Sequence, residues 1–487
     1  MRDATAVVLI DELRRALGPH AVLDQRESCV AFECDGLTAH RQIPDIVALP
    51  KSVEEARAVL RICRAHGVPV VTRGAGTGLS GGAKPVAGAV LLVLSKLNQI
   101  LELDPVRRIA RLQPGVTNLS ISNAARPFGL FYAPDPSSQV ACTIGGNVAE
   151  NSGGVHCLKY GLTFNNVLQV KVLTIEGDDI VIGNEMQETC GLELLALLTG
   201  SEGMLGIIVE VMVKLLPLPE RTELLLAAFD DIERCAEAVA AIIAAGIVPA
   251  GLEMMDAMTI RASEKFARCG YPVDANALLL CELDGMSADV DWQIQRVTEL
   301  LRTLGATLVR QAADAAERDR MWSGRKSAFP AVARLAPDYY CMDGTIPRRR
   351  LSEVLAKIEA LSQSYGLPIA NVFHAGDGNL HPLILFDAGK PGELHRAEEL
   401  GAEVLGLCVA VGGTVTGEHG VGIEKLGPMC LQFNADELSA FHAIKAAFDP
   451  AGLLNPGKAV PTLARCADYG ALHVHQGQMP HPHLPRF

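Results

Sequence analysis

Apolar positions recur at helical spacing early in the chain and then give way to short apolar runs. In residues 53–63 one helical face is apolar, formed by Val53, Ala56, Val59, Leu60 and Cys63. Ser52 and Glu55 form a capping box before this face, and Gly67 ends the predicted helix. Uninterrupted apolar runs predict buried strands at 46–49, 68–71 and 89–94. The order strand, helix, strand predicts a small α/β lobe.

The second half of the chain alternates strand and helix. A change of composition at 216–219, where the sequence is LPLP, predicts a domain boundary. Apolar runs predict strands at 224–229, 278–283 and 307–310. Helices are predicted from a cap at Asp230 through 245 and over 290–304. This alternation predicts an antiparallel sheet with helices on one face, so the chain as a whole is predicted to be α+β.

The glycine-rich segment after the 68–71 run offers ligand-binding chemistry. Its sequence is RGAGTGLSGG, beginning at Arg73. Glycines let a backbone approach a ligand closely, and successive N–H groups beside an arginine form a pocket for an anion such as a pyrophosphate. Residues 76–81 fit G-x-G-x-x-G, but the nicotinamide fingerprint needs a helix next, and an apolar run follows instead. The alternative is a flexible glycine hairpin that binds nothing.

Two further glycine-rich segments adjoin predicted strands. One is ACTIGGNVAENSGG at 141–154, and the other is GSEGMLG at 200–206, which leads into a predicted strand at 207–216. A proline-stiffened segment, APDPSS, ends at Ser138 and offers two hydroxyl groups. By itself, the 141–154 segment is explained by a tight glycine turn between elements. Three glycine-rich segments exceed what one phosphate needs, so together they predict an extended ligand such as a dinucleotide.

A second group of candidate residues surrounds a predicted hairpin. The segment NVFHAGDGNLH, residues 371–381, has a strong turn signal between two apolar runs, so a hairpin would make His374 and His381 neighbours. Glu418 and His419 follow a predicted strand at 414–416. Two histidines and a glutamate suit a divalent metal with open positions, which leaves His419 as a base. The alternative is that the hairpin histidines are hydrogen-bonded core residues.

Two other segments contain candidate residues. Arg325, in WSGRK, is a candidate to bind a carboxylate through a bidentate fork, and the alternative is an exposed helix arginine. The segment NPGK, beginning at Asn455, follows a predicted helix at 436–448. It either returns the chain to the edge of a cofactor or simply ends the helix.

Charge and cysteine content exclude several classes of protein. The 487-residue chain has a formal charge of −13 and no basic block, which disfavours binding to nucleic acid or anionic lipid. It has no apolar run of membrane-spanning length and no signal-peptide pattern, so we expect a cytosolic protein. Its 13 cysteines include no C-x-x-C pair, which predicts mostly buried thiols and no iron–sulfur cluster in this chain. For the histidines of the 463–487 tail we expect a loosely packed terminus, not a metal site.

Seven segments together resemble the FAD-linked oxidases of the vanillyl-alcohol-oxidase type, which have a PCMH-type FAD domain. The segments are RGAGTGLSGG, APDPSS, CTIGGNVAENSGG, GSEGMLGI, HAGDGNLH, GEHG and NPGK. Within this family, 32–37 and 339–347 resemble the catalytic subunits that oxidise glycolate. The resemblance implies a helical segment (1–40), a two-lobed PCMH-type FAD-binding domain (41–219), a ferredoxin-like cap domain with an antiparallel sheet (220–420), a helical segment returning to the flavin (421–462) and a tail (463–487).

The same resemblance implies the site residues. FAD would be non-covalent, because the glycine segment lacks the histidine that some members bond to flavin. The implied FAD contacts are Arg73, Gly74, Ala75, Gly76, Thr77, Gly78, Pro134, Asp135, Ser137, Thr143, Gly145, Gly146, Asn147, Asn151, Gly153, Glu202, Gly203, Ile207 and Asn455. A divalent metal (Zn, Fe or Mn) would bind His374, His381 and Glu418, with His419 as the base and Arg325 as the carboxylate-binding residue.

The implied function is oxidation of glycolate or D-lactate to the 2-oxo acid, with hydride transfer to FAD. Leu383 stands where hydroxyglutarate-oxidising relatives have a polar substrate contact, which favours a short substrate. Electrons would pass to companion flavin-type and iron–sulfur subunits or to a quinone, and any membrane association would be peripheral and made through those partners. The alternatives are a D-lactate or D-2-hydroxyglutarate dehydrogenase acting alone, an NAD-dependent dehydrogenase, and a non-catalytic flavin-binding subunit.

Overall fold

The structure is a computed structural model that describes residues 4–186 and 191–462. These residues form two compact units. The first unit contains the described residues of 1–152, 162–217 and 419–487, and the second contains 153–161 and 218–418. Helices and mainly antiparallel sheets confirm the predicted α+β class. The five predicted domain ranges stay predictions, and the histidine-bearing tail, 463–487, lies outside the described residues.

Three sheets make up the strand structure of the first unit. Its strands are β1 (Val22–Leu23), β2 (Ile46–Ala48), β3 (Val70–Arg73), β4 (Val90–Val93), β5 (Ile100–Asp104), β6 (Ile109–Leu112), β7 (Leu130–Phe131), β8 (Val167–Leu173), β9 (Asp179–Gly183), β10 (Ile207–Lys214) and β11 (Leu216–Pro217). The sheet orders are β1-β2-β4-β3, β5-β6-β10-β8-β9 and β11-β7. One buried cluster is formed mainly around the β1-β2-β4-β3 sheet and also includes Leu173, Ile207 and Val209 of β8 and β10. A second cluster contains most of the apolar residues of the β5-β6-β10-β8-β9 sheet.

The helices of the first unit cover these sheets with their apolar faces. They are Ala4–Leu17, Arg26–Cys29, Val53–His66, Asn118–Ala125, Ile144–Glu150, Thr163–Asn166, Leu194–Leu198, Leu426–Gln432 and Ala435–Phe448. Ser52 caps the Val53–His66 helix as predicted by accepting the N–H of Glu55, and Gly67 ends the helix with φ of 64°. The predicted capping box is wrong in its second bond, because the Glu55 carboxylate accepts the N–H of Lys51 and not that of Ser52. The Ile144–Glu150 helix was not predicted, since its glycines are poor helix formers.

The glycine-rich segment joins two parallel strands. β3 and β4 pair in parallel, with Val70 opposite Val90, and residues 74–89 contain no helix. The glycine-hairpin alternative is therefore wrong, because a hairpin joins antiparallel strands. The other edge of β3 is covered by the C-terminal segment: Val70 donates to the Leu453 carbonyl and accepts the N–H of Asn455, each at 2.8 Å. The NPGK segment thus reaches the strand that precedes the glycines.

One antiparallel sheet runs through the second unit, as predicted. Its strands are β12 (Arg221–Phe229), β13 (Gly251–Asp256), β14 (Ala277–Gly285), β15 (Leu308–Gln311), β16 (Asp338–Cys341), β17 (Ile369–His374) and β18 (Asn379–Phe386). The order is β15-β12-β14-β13-β17-β18-β16. Strands β14 and β18 are buried along almost their full length, which explains the apolar runs at 277–281 and 382–386.

Helices cover both faces of this sheet, so the predicted arrangement with helices on one face is wrong, and two further details of the prediction are also wrong. The helices are Cys157–Tyr160, Ile232–Ala244, Ala257–Ala267, Ser287–Thr303, Ala315–Lys326, Ala328–Val332, Leu351–Tyr365 and Glu393–Ala410. The cap of the Ile232–Ala244 helix is Asp231, not Asp230, because the Asp231 carboxylate accepts the N–H of Glu233. Residues 414–416 are not a strand: only Thr414 forms an isolated bridge, with Thr345.

Two other findings concern cysteines and membrane helices. Nine of the 11 cysteines in the described ranges are buried and none of the 11 is in a disulfide, which confirms the prediction of mostly buried thiols. Over 4–186 and 191–462, no helix combines the length and apolar character needed to cross a bilayer.

Candidate functional site

Arg73 lies beneath the glycine-rich segment, at the end of β3. Its side chain is buried, and Nη1 donates to the Cys34 carbonyl at 2.6 Å. Burial lowers the pKa of Arg73, and the nearby carboxylate of Asp35 opposes that change. Gly76 has φ of 74° and sits so close to the guanidinium that a Cβ there would collide with it. The structure thus shows Arg73 supporting the turn of the loop.

Gly74 and Gly145 pack so closely against neighbouring residues that neither position has room for a Cβ atom. A Cβ on Gly74 would collide with the hydroxyl of Thr143. A Cβ on Gly145 would lie 2.6 Å from Cβ of Pro114 and 3.0 Å from its carbonyl oxygen. The 74–78 and 143–146 segments, predicted separately from sequence, are therefore brought together in the first unit. Here glycine is needed for close approach of one backbone to another.

Four buried oxygens in this region have no hydrogen-bond partner among the described residues. They are Thr72 Oγ1, Thr143 Oγ1, Glu150 Oε2 and Asn455 Oδ1. Buried polar atoms in native proteins are nearly always hydrogen-bonded, so four such atoms in one unit indicate a polar ligand. The sequence prediction missed Thr72 and Glu150 as site residues. Their signals were weak: a hydroxyl in the strand just before Arg73, and an acid inside the 141–154 segment.

The carbonyl of Gly82 accepts hydrogen bonds from residues that are distant in sequence. Asn455 Nδ2 donates to the carbonyls of Gly82 (3.0 Å) and Glu202 (2.6 Å), and Lys458 Nζ donates to Gly82 at 2.7 Å. The Glu202 carboxylate accepts the N–H groups of Val421 and Gly422, each at 2.7 Å. Glu202 and Asn455 both have positive φ, an unusual conformation that these contacts stabilise.

The Glu150 and Glu202 carboxylates lie near each other in this buried region. Burial raises the pKa of both groups, and the charge of Glu202 adds to the rise at Glu150, which is well above the ordinary value. The backbone N–H groups of Val421 and Gly422 oppose the rise at Glu202.

Most of the other predicted cofactor residues belong to the loops and the short helix of the first unit. Asn147 lies in the Ile144–Glu150 helix and accepts from Asn118 Nδ2, which also donates to the carbonyl of Pro134. This pair ties the 134–138 segment to the helix. Asn151 ends the helix with φ of 54° and accepts the N–H of Phe164. The remaining positions are placed as follows: Ala75, Thr77, Gly78, Asp135, Ser137, Gly146 and Gly203 lie in loops or the short helix of the first unit, Ile207 begins β10, and Gly153 belongs to the second unit.

In the second unit, the predicted hairpin brings two histidines together. β17 and β18 pair with Val372 opposite His381 and His374 opposite Asn379, so the histidines are diagonal neighbours. Their ring centroids are 5.0 Å apart and both side chains are buried. Nε2 of His374 and of His381 lie 3.2 and 2.9 Å from Oε1 of Glu418. The predicted metal-ligand trio is therefore assembled in one place, and its ligand atoms lie within 4.8 Å of one another.

Fixed acceptors hold the histidines in one tautomer. His374 Nδ1 lies 2.8 Å from Oε1 of Glu253, and His381 Nδ1 lies 3.3 Å from the Met342 carbonyl. A carboxylate and a carbonyl can only accept, so each Nδ1 carries a proton and each Nε2 faces Glu418. The Glu418 backbone N–H is in turn held by the buried Asp343 carboxylate at 3.2 Å.

The electrostatics of this cluster call for a positive charge at its centre. Two Nε2 atoms and one carboxylate oxygen converge, and all three are acceptors unless a cation or extra protons lie among them. Burial opposes charging His374, but Glu253 and Glu418 raise the pKa of His374 well above its ordinary value. Burial would raise the pKa of Glu418, yet the histidines hold it well below that value. This donor set fits a divalent metal with nitrogen and oxygen ligands.

Arg325 lies next to the histidine cluster and is not exposed. Its side chain is 1% exposed, so the alternative of an exposed helix arginine is wrong. Nε donates to Oε2 of Glu253 at 2.7 Å, and Nη2 forms an ion pair with the same oxygen at 2.6 Å. Nη2 also lies 3.4 Å from Nδ1 of His374. Nη1 makes no hydrogen bond to any residue that the structure describes.

Glu253 was missed by the sequence prediction. It lies in β13, whose sequence GLEMMD is otherwise mostly apolar, and it is 1% exposed. Burial alone would raise the pKa of Glu253, but Arg325 and His374 hold it below its ordinary value. A lone acid in a buried strand was the available signal. His419, the predicted base, is half-buried in the first unit, where its carbonyl accepts from Ser80 Oγ at 2.8 Å.

Comparisons with known proteins agree over the full length of the chain. The family models "FAD binding domain" and "FAD linked oxidases, C-terminal domain" match residues 44–183 and 218–459. Glycolate oxidase subunit GlcD of Escherichia coli (strain K12) is 59% identical over 485 residues, covering 100% of this chain and 97% of the relative. The Bacillus subtilis (strain 168) protein of that name is 39% identical over 449 residues, covering 92% and 96%.

A solved structure shares the fold. The crystal structure of p-cresol methylhydroxylase with substrate bound matches with a TM-score of 0.81 at 20% identity, covering 95% of this chain and 98% of that one. The likeness confirms the predicted PCMH-type fold.

Proposed function

This chain belongs to the FAD-linked oxidase family, and we propose that it oxidises a short 2-hydroxy acid, with glycolate as the preferred substrate, to the 2-oxo acid. One observation carries the proposal: a buried arginine lies against a trio of two histidines and a glutamate in a chain that has an FAD-binding domain. An arginine suits the carboxylate of such a substrate, and a metal-binding trio suits its hydroxyl group. The relatives named glycolate oxidase subunit support glycolate as the preferred acid.

The buried polar atoms and the glycines of the first unit are suited to binding FAD. The residues that would hold FAD are the predicted contacts from Arg73 to Asn455, together with Thr72 and Glu150. The four unpartnered oxygens offer hydrogen-bonding groups for a long polar ligand, and the glycines let separate backbone segments approach one another closely. FAD, when bound, supplies the hydride acceptor. No protein side chain can accept a hydride in its place.

The second unit fits a divalent metal, which we propose to be Zn, Fe or Mn. His374, His381 and Glu418 would hold it through two imidazole nitrogens and a carboxylate oxygen. Such an ion would supply Lewis acidity toward the substrate hydroxyl and lower its pKa. Leu383, fully buried in β18, leaves no polar side chain at that position for a longer acid. This supports a short substrate.

Two side chains would act on the substrate directly. Arg325 would bind its carboxylate through Nη1, because the Nε and Nη2 atoms already bind Glu253. His419 would accept the hydroxyl proton, which suits a group that titrates near neutral pH. The oxidation removes two electrons and two protons from the acid: the hydroxyl proton goes to His419, and the other hydrogen leaves C2 with both electrons.

We also propose that electrons leave the chain through companion subunits. The relatives are named as subunits of glycolate oxidase, which supports assembly into a larger complex. The companions would be a flavin-type subunit and an iron–sulfur subunit. A cytosolic location, with any membrane association made through these partners, belongs to the same proposal.

A substrate panel with an artificial dye acceptor tests the proposed reaction. We expect turnover with glycolate and D-lactate, slower turnover with D-2-hydroxyglutarate, and none with NAD as the acceptor. Incubation with a strong chelator, followed by its removal, should abolish turnover, and Zn, Fe or Mn should restore it. Turnover that is indifferent to chelation would refute the metal, and no turnover with any 2-hydroxy acid would refute the reaction class.

Gly74→Ala is expected to weaken FAD binding. The added Cβ collides with the Thr143 hydroxyl, and overpacking of this kind typically costs about 1–3 kcal/mol, which is equivalent to roughly a 5- to 150-fold loss of affinity. The ratio of flavin absorbance to protein absorbance, followed during dilution, measures the loss. Gly88→Ala controls for general disturbance of the loop between β3 and β4, because its φ of 75° strains an added Cβ but no atom lies within 4 Å of that Cβ. Equal flavin retention in the two variants would contradict the prediction.

A further inference from the structure

Glu253 connects the metal-ligand trio with the arginine. Its Oε1 accepts from Nδ1 of His374 at 2.8 Å, and its Oε2 accepts from Arg325 Nε at 2.7 Å and forms an ion pair with Nη2 at 2.6 Å. We propose that Glu253 is a positioning residue that aligns both the metal-binding imidazole of His374 and the carboxylate-binding guanidinium of Arg325. This inference rests on the proposed function of these two residues.

The histidine contact decides which nitrogen of His374 is available to a metal. An ionised carboxylate at Nδ1 keeps a proton there, so the lone pair lies on Nε2, on the side of Glu418. Nδ1 of His381 has a weaker acceptor, the neutral carbonyl of Met342 at 3.3 Å. A charged acceptor also makes His374 a more basic ligand than a carbonyl would. Glu253 therefore affects the tautomer and basicity of His374 more strongly than the Met342 carbonyl affects those of His381.

The arginine contact decides which edge of the guanidinium is available to substrate. Glu253 binds the edge formed by Nε and Nη2, and Nη1 remains for another acceptor. Because the guanidinium is planar, holding one edge fixes the direction in which Nη1 donates. One carboxylate thus fixes the relative positions of the groups that would bind the two functional ends of a 2-hydroxy acid.

A purely structural role would be neutralisation of the buried Arg325 charge. Glu282 provides the matched control for that role. It lies on β14, the strand that pairs with β13, and its side chain is 8% exposed. It accepts from His156 Nε2 at 2.9 Å and from Trp322 Nε1 at 2.5 Å. Glu282→Gln therefore removes a buried, histidine-bound carboxylate from the same sheet at a position outside the metal-ligand trio.

The experiment compares purified, flavin-loaded wild type, Glu253→Gln and Glu282→Gln. Mn or Zn affinity is measured by competition with a coloured chelator, and KM and kcat for glycolate are measured at saturating dye. We expect Glu253→Gln to weaken metal binding about 10- to 100-fold and to raise KM by a similar factor, since a single amide cannot accept from both partners. Glu282→Gln should leave both values within about twofold of wild type.

The outcomes separate this inference from the proposed function. Metal affinity and KM that stay at wild-type values in Glu253→Gln, while wild type binds metal, would overturn the role of Glu253 alone. Equal losses in Glu253→Gln and Glu282→Gln would also overturn it, because they would reflect general disturbance of the sheet. A wild-type protein that binds none of Zn, Fe and Mn and turns over glycolate would refute the proposed metal site and, with it, the effect of Glu253 on His374.

Discussion

Glu418→Ala is expected to lower kcat/KM for glycolate by about 10³-fold or more, equivalent to roughly 4 kcal/mol of transition-state stabilisation. The variant removes the carboxylate on which Nε2 of His374 and His381 converge, at 3.2 and 2.9 Å. Two neutral imidazoles alone would hold a divalent ion weakly, and the hydroxyl pKa would then no longer be lowered. Metal content and dye-coupled turnover of the same preparation measure the effect.

Two controls make the Glu418 result specific. Glu418→Gln keeps the shape of the side chain but not its charge, so it should lose metal and activity almost as fully as the alanine variant. Glu403→Ala changes an exposed helix residue and should leave both unchanged. The flavin content of all three should match wild type, because all the predicted FAD contacts except Gly153 belong to the first unit. Retained turnover in a Glu418 variant that has lost its metal would rule out the proposed role of the trio.

Arg325→Ala is expected to reduce kcat/KM for glycolate by about 10³-fold and to destabilise the protein. Loss of the guanidinium removes the proposed carboxylate anchor and leaves the buried charge of Glu253 without its strongest partner, a change that typically costs about 3–5 kcal/mol of unfolding free energy. Because this variant risks incomplete folding, Arg325→Lys is the decisive one. A lysine keeps the charge and one contact to Glu253, but it cannot form the planar fork.

For Arg325→Lys we expect KM to rise by about 10²-fold, roughly 2.7 kcal/mol, with a smaller fall in kcat. Steady-state kinetics over a wide glycolate range separates the two parameters, and urea unfolding measures stability. Arg320→Lys, on the same helix and exposed, should leave kinetics and stability unchanged. A wild-type KM in Arg325→Lys would show that the substrate carboxylate is bound elsewhere.

Features set by neighbouring residues were predictable from the sequence. The GDGN turn between two apolar runs predicts the hairpin that places His374 beside His381, and the antiparallel register of the structure confirms it. Ser52 and Gly67 likewise specify the ends of their helix through local capping. In each case the determining interactions lie within a few residues of one another, so their pattern is visible in the sequence.

Features set by distant residues were not predictable. The parallel pairing of β3 with β4, and the contacts of Val70 with Leu453 and Asn455, depend on packing between remote parts of the chain. The role of Glu253 depends on partners 72 and 121 residues away, Arg325 and His374. The Ile144–Glu150 helix forms despite two glycines, because packing against the first unit's core outweighs their low helix propensity.

Anaerobic mixing of the purified, flavin-loaded protein with glycolate tests the central claim most directly. The claim is that this chain itself transfers electrons from a short 2-hydroxy acid to its FAD. It predicts that glycolate bleaches the visible flavin absorbance of wild type within seconds, and that Glu418→Ala keeps its colour while dithionite still bleaches both. A wild-type flavin that dithionite reduces but neither glycolate nor D-lactate bleaches would contradict the claim.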